Sequence, residues 1–288
     1  MMGDFATEYQ RVKDNILDAH GVALYKGATM PSKKNSDHLP GTLKTIPTGG
    51  KEVVVPRPES DGWANDDHET VQNVALWISQ NPHLAYSFEN PYLADFRSET
   101  PRIEYIDGAY RPCILLGFCH DHRGRIPCGI TARTQFVLDN PVPMHISSNN
   151  IVGWDGATLR TERLKEIYDN LKPEFKDIIT PVQKQTHQRN NIGGFIISKD
   201  YLWVESLSEV EGRAGFTLDG ILYPYYAYIG TGTGGRTGRL PEGTAVRKWL
   251  RNPMLTADHS FSAVNASGST GNIASNNAET FFSVCFSI

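Results

Sequence analysis

Cysteine is scarce. Cys113, Cys119, Cys128 and Cys285 are too few to staple 288 residues into a disulfide scaffold. Three of them lie in apolar, strand-like surroundings, where a free thiol behaves as a small hydrophobe, so reduced thiols are expected. Basic excess is also missing. Lysine and arginine number 28 against 32 acidic residues, a net charge of −4, which leaves no footprint for a general nucleic-acid binder. No apolar run approaches the roughly 20 residues of a membrane span. The start MMGDFATEYQ has neither the basic opening nor the apolar core of a cleaved signal, so synthesis in a cytosol is expected, without export by that route. Nucleophile-elbow and His-Glu-x-x-His patterns do not occur, and no cofactor is expected.

What is there suits a globular protein: 39% hydrophobic and 21% charged residues. With 26 glycines and 10% aromatics, a turn-rich, partly β protein is expected. Phe5, Tyr9, Val12 and Ile16 recur at helical spacing, and Gly21 stands where a C-cap glycine would. Leu39, Leu43 and Ile46 form a second short set before Gly49 and Gly50. Such helices bury too little to be stable alone. Residues 1–50 are therefore read as a helical anchoring or oligomerisation segment, with a trimer favoured. Residues 51–70 are rich in Pro, Asp and Gly and read as a linker. Residues 71–288 form the main domain, α+β in class.

Within that domain Val71, Val74, Trp77 and Ile78 predict a helix. RIEYIDGAYRPCILLGF predicts a hairpin turning at Asp107-Gly108. Leu164, Ile167, Tyr168 and Leu171 mark one strong helix, and Pro173 opens a short second one through Phe175, Ile178 and Ile179. The glycine-rich IGTGTGGRTGR lacks the endings of a phosphate loop and reads as a surface loop.

Three motifs could carry chemistry. Cys119, His120, Asp121 and His122 are all possible metal ligands, but alternate strand residues point to opposite faces, so a polar hairpin tip is the better reading and no metal site is expected. Glu205 and Glu209 could be paired glycosidase carboxylates. Ser206-Leu207-Ser208-Glu209 also fits a helix capping box, which explains the spacing without catalysis and is the preferred reading. KWLRNP reads as a buried strand end, with Arg251 free to pair or cap and Asn252-Pro253 starting a turn. No catalytic residue is assigned.

The order of MHISSNNIVGWDGATLRTERL, SLSEVEG, KWLRNP and an Asn/Ser/Gly stretch ending FFSVCFSI resembles a family encoded by bacteriophages and prophages. The likeness covers roughly residues 85 to 288. The helical start resembles the short N-terminus of phage tail-fibre and appendage proteins. The family has no settled biochemical activity. The resemblance implies a virion protein, assembled in the host cytoplasm, near host attachment on the tail. It implies a C-type-lectin-like domain of short twisted strands, one or two helices and long loops. It also implies contacts to other virion proteins through the N-terminal helices, and a host-surface glycan or protein as ligand. A decoration or joint subunit of capsid or tail, and a polysaccharide depolymerase, are the alternatives. The cysteine pair of the related formylglycine-generating enzymes is absent, and AETFFSVCFSI replaces the family's Val-Arg-Pro ending.

The C-terminus completes the expectation. Phe261, Ala263 and Val264 predict a strand, NASGSTGN a tight polar turn around Gly268 and Gly271, and Ile273 to Asn277 a return. FFSVCFSI then closes the fold as a central strand with Phe282, Val284, Phe286 and Ile288 on its core face. Asn265, Ser267, Asn272, Asn276 and Asn277 are the candidate ligand contacts.

Overall fold

The spacing Val71, Val74, Trp77 and Ile78 forms the helix expected of it. α1 spans His68–Gln80 and buries all four side chains. Asp67 caps it by accepting the Thr70 backbone N–H at 2.8 Å. The computed structural model describes residues 56–123, 126–139, 141–146, 153–187, 195–212, 222–228, 235–253 and 259–288. The helices expected within residues 1–50 lie outside these, as do residues 147–152 and most of the glycine-rich loop. The chain divides into two units, Met1–Arg57 and Pro58–Ile288.

The second unit begins inside the stretch expected to be a linker. Trp63 is fully buried. Its indole N–H donates to the Cys113 carbonyl at 3.1 Å, and its backbone N–H donates to Asp95 Oδ2 at 2.8 Å. Asp66 accepts from Ser60 Oγ, the Asp61 backbone N–H and the Tyr92 hydroxyl. The Pro, Asp and Gly residues after Pro58 thus build a packed turn, because one tryptophan and one buried carboxylate anchor it.

A short helix, α2 (Leu93–Ser98), precedes the hairpin of β1 (Arg102–Ile106) and β2 (Ala109–Phe118). Asp107 and Gly108 both take left-handed φ, 54° and 72°, the primed turn that matches strand twist. β2 pairs onward with β5 (Ile130–Thr134), and β5 with β13 (Cys285–Ser287), giving an antiparallel sheet in the order β1-β2-β5-β13. Between β2 and β5 lies a small antiparallel pair, β3 (His122–Arg123) and β4 (Ile126–Pro127); the tip expected within CHDHRGRIPC, 124–125, lies outside the described residues, and Asp121 beside it is buried.

The helix at 164 starts wide, as a π-helical turn over Leu159–Leu164, and tightens into α3 (Lys165–Asp169). Leu164, Ile167 and Leu171 are buried as the spacing predicts. Pro173 opens α4 (Pro173–Lys176), and Phe175, Ile178 and Ile179 are buried behind it. β6 (Val182–His187) pairs with β7 (Phe195–Asp200). α5 (Leu207–Glu211) and α6 (Pro224–Tyr228) follow, then the small pair β8 (Gly238–Arg239) and β9 (Ala245–Val246). A three-stranded sheet ends the order: β10 (Lys248–Pro253), β11 (Ser260–Val264) and β12 (Thr270–Ala274). Helices and several small antiparallel sheets make the protein α+β.

Three expectations change at the C-terminal end. β10 runs through Asn252-Pro253, which stay in the strand past a bulge, with Pro253 opposite Phe261. Gly271 belongs to β12 opposite Ala263, not to the turn; a Cβ there would lie 2.9 Å from the Asn265 amide nitrogen. The closing run, expected as a central strand, stands last in its sheet: among the described residues β13 pairs in a ladder with β5 alone and has one isolated bridge on its other side, yet the run is buried on both faces. Phe282, Val284, Phe286 and Ile288 enter the core, but Ser283, Cys285 and Ser287 are buried as well. A backbone bridge from Trp203 to Cys285 and the Thr131–Ser287 hydroxyl contact cover the second face.

Candidate functional site

The five candidate contact residues gather on the β11–β12 hairpin and the turn after it. The structure gives them different duties. Asn265 holds the hairpin turn: its side-chain oxygen accepts from Arg247 Nε at 3.2 Å and its amide donates to Ser269 Oγ at 3.3 Å. Gly268 takes φ 80° in that turn, where its backbone N–H donates to the Asn265 carbonyl. Ser267 is exposed and hydrogen-bonds Ser269. Asn277 accepts from the Glu279 backbone N–H and the Thr280 hydroxyl, an Asx turn leading into the last strand. Asn272 and Asn276 point to solvent with their amides uncommitted among the described residues. β12 is the outer strand of its sheet, so Asn272 sits on an edge.

β10, two strands inward, fixes this hairpin to the core. All six of its residues are buried. Lys248 Nζ donates to Glu205 Oε2 at 2.5 Å, and the Glu205 carbonyl accepts the Arg251 backbone N–H at 3.0 Å. Arg251 grips Glu209 with both guanidinium ends, at 2.5 and 2.8 Å. Asn252 Oδ1 accepts the Leu207 backbone N–H at 2.6 Å, satisfying one of the first free donors of α5. The capping box expected at Ser206 and Glu209 is present in both directions. SLSEVEG and KWLRNP are therefore two halves of one clasp. Glu209 serves as cap and as counter-ion at once.

Lys184, on β6, extends the clasp across the fold. Its ammonium donates to Asp121, to Glu209 Oε1 at 3.0 Å and to the Tyr223 hydroxyl at 3.0 Å, and lies 4.2 Å from the Trp203 ring centroid. Tyr223 donates on to Asp121 Oδ2 and accepts from the Trp203 indole N–H. Thr131 also donates to Asp121. A second cluster joins Glu205 to Lys248, the Tyr226 hydroxyl and Arg133 Nε, the last at 3.4 Å. With Glu205 and Glu209 each only 1% exposed, neither reaches solvent or a bound polymer.

Burial pushes the pKa of all three carboxylates up, and neighbouring cations outweigh it. Lys184 holds Asp121 low; Lys248, then Arg133, hold Glu205 low; Arg251, then Lys184, hold Glu209 low. A carboxylate with a depressed folded pKa stabilises the fold above its unfolded pKa, and that stability is lost as pH falls through the folded value. Lys248 works the other way. Burial lowers its pKa against the pull of Glu205, so it costs stability at neutral pH and the cost eases as pH rises. The expected result is a urea midpoint that holds near neutrality and falls steadily once pH drops below the ordinary carboxylate values of 3.8 and 4.5. An unchanged midpoint between about pH 7 and about pH 3 would show that these groups carry no linkage.

The four cysteines are free thiols. Burial pushes Cys119 up to about 11 and Cys128 up to about 12, away from thiolate chemistry. Among the described residues no group of His, Cys, Asp and Glu is placed to hold a metal, and no helix is long and apolar enough to cross a membrane. Sequence reasoning missed Lys184 and Tyr223. Lys184 shares its strand face with Val182 and Thr186, a mixed alternation that gives no sign of a buried cation. Compared with protein-family models, curated proteins and solved structures, the chain matches none.

Proposed function

We propose that this chain is a binding protein of a bacteriophage virion, of the tail-fibre or receptor-binding type. In this reading a C-type-lectin-like domain presents polar C-terminal loops to a host-surface glycan or protein. The N-terminal segment attaches it to other virion proteins. The observation that carries the reading is the β11–β12 hairpin. Its turn is held by Asn265 and Gly268, it leaves Asn272 and Asn276 open, and it stands on a strand clamped by buried ion pairs. A rigid support under short polar side chains is how a recognition surface is built. Small antiparallel sheets closed by the C-terminal strand support the lectin-like layout. The buried, doubly paired state of Glu205 and Glu209 supports a scaffold over a depolymerase, whose acid needs a raised pKa and contact with substrate.

The test is binding of the labelled full chain to host cells. Asn272→Ala with Asn276→Ala should weaken attachment by about tenfold or more, equivalent to about 1.4 kcal/mol. If the wild-type chain binds no better than an unrelated virion domain, the reading fails and a joint or decoration role replaces it.

A further inference from the structure

The outer face of the β1–β2 hairpin lies apart from the C-terminal loops. Register places Ile103 opposite Pro112 and Tyr105 opposite Tyr110, so these four side chains share one face of the ribbon. That face is open: Tyr110 is 67% and Ile103 54% exposed. The two tyrosine rings meet edge to face, with centroids 5.3 Å apart. Lys172, the residue before α4, lies across both, its ammonium 5.2 Å from the Tyr105 centroid and 4.8 Å from that of Tyr110. Its single hydrogen bond among the described residues goes to the Tyr110 hydroxyl at 2.9 Å. An ammonium has three donors, so two remain for a ligand. No carboxylate among the described residues lies within ion-pair distance of it, although Lys165, Lys176 and Arg163 nearby are all paired.

We propose that this face is a binding subsite for an acidic glycan. A sugar ring would lay its C–H surface on the free side of Tyr110 and against Ile103. Its carboxylate would meet Lys172. Tyrosine suits this contact because it offers a large rigid face and a hydroxyl at low entropic cost. Charge selects the class. One unpaired lysine matches a polymer with sparse negative charge. A nucleic acid carries a phosphate on every nucleotide, and one lysine, with Glu174 close enough to act on it and a net charge of −4 on the chain, does not match so dense a polyanion. The proposal shares the surface-recognition reading above but none of its residues.

The experiment is calorimetric titration of the full chain with hexagalacturonate, with a neutral galactan hexamer and with a short oligothymidylate at near-physiological salt. Saturable binding of the acidic hexamer alone is expected. Lys172→Met and Tyr110→Ala should each weaken it by about tenfold or more. Tyr110→Phe keeps the ring, loses only the hydroxyl that holds Lys172, and should weaken it less. Both positions lie at the surface, Tyr110 exposed and Lys172 half-buried, so thermal midpoints should be unchanged. Asn272→Ala with Asn276→Ala should leave glycan affinity intact even if cell attachment falls, which separates this subsite from the C-terminal loops. No saturable binding of hexagalacturonate, equal binding of the neutral hexamer, tighter binding of the oligothymidylate, or full affinity in Tyr110→Ala would each overturn the proposal.

Discussion

Arg251→Met is expected to lower the free energy of unfolding by about 3–5 kcal/mol, read from urea denaturation at neutral pH. The loss comes less from the missing attraction than from what stays behind. Glu209 remains buried, with one of its two cations gone. A buried carboxylate stripped of half its compensation pays most of its desolvation cost. The companion Glu209→Gln should be comparably damaging: glutamine keeps an oxygen for the Ser206 backbone N–H of the capping box, but Arg251 and Lys184 both lose their carboxylate there. The double variant should be more stable than the sum of the two single losses predicts, since neither partner is then left as a lone charge. It should not return to wild type, because Lys184 loses Glu209 as well and keeps only Asp121. Strict additivity in this cycle would mean that the pair does not interact as its geometry requires.

Gly129→Ala should be comparably damaging for a different reason. A Cβ at Gly129 would lie 1.8 Å from the Ala75 carbonyl oxygen and 2.6 Å from the Ala75 Cα. These are backbone atoms of α1 and cannot rotate aside. The helix must move away from the entry to β5, which costs at least the about 1–3 kcal/mol of ordinary overpacking. Lower soluble yield and a clearly lower thermal midpoint are expected. Gly108→Ala is the control. Its φ of 72° strains any L side chain, but nothing lies within 4 Å of the added carbon. Its cost should stay near about 1–2 kcal/mol. If the two variants melt alike, α1 is not seated on β5 as closely as described.

Several elements were legible because their cause is local. The capping box needs four consecutive residues, and Ser206 to Glu209 supply them. The Asp107-Gly108 turn needs two residues that tolerate left-handed backbone, with strand formers on either side. The stripes of α1 and of the 164–171 helix need only periodicity. From Pro58 on, the segment expected as a linker is packed, because composition cannot register a single buried anchor. Pro, Asp and Gly mark turns in linkers and in packed segments alike, and Trp63 decides between the two only once Cys113 is beside it. Gly271 falls in β12 and not in the expected turn for the same reason. Its role is to make room for the Asn265 side chain, six positions earlier in the chain and brought beside it by the hairpin.

The candidate site divides the same way. Polar composition drew attention to the C-terminal hairpin, but which asparagines hold the turn and which stay open depends on partners such as Arg247 and Thr280. By itself the sequence determined the α+β alternation, the main helices, the principal hairpin and the apolar closing strand, all of which follow from propensity and period over a few residues. Only the tertiary structure decided that Glu209 meets Arg251 across 42 residues of chain, that Lys184 meets Asp121 across 63, and that Lys172 lies over two tyrosines. Ion pairing and ring contact act through space, and their energy depends on burial and distance, neither of which is written in the order of residues.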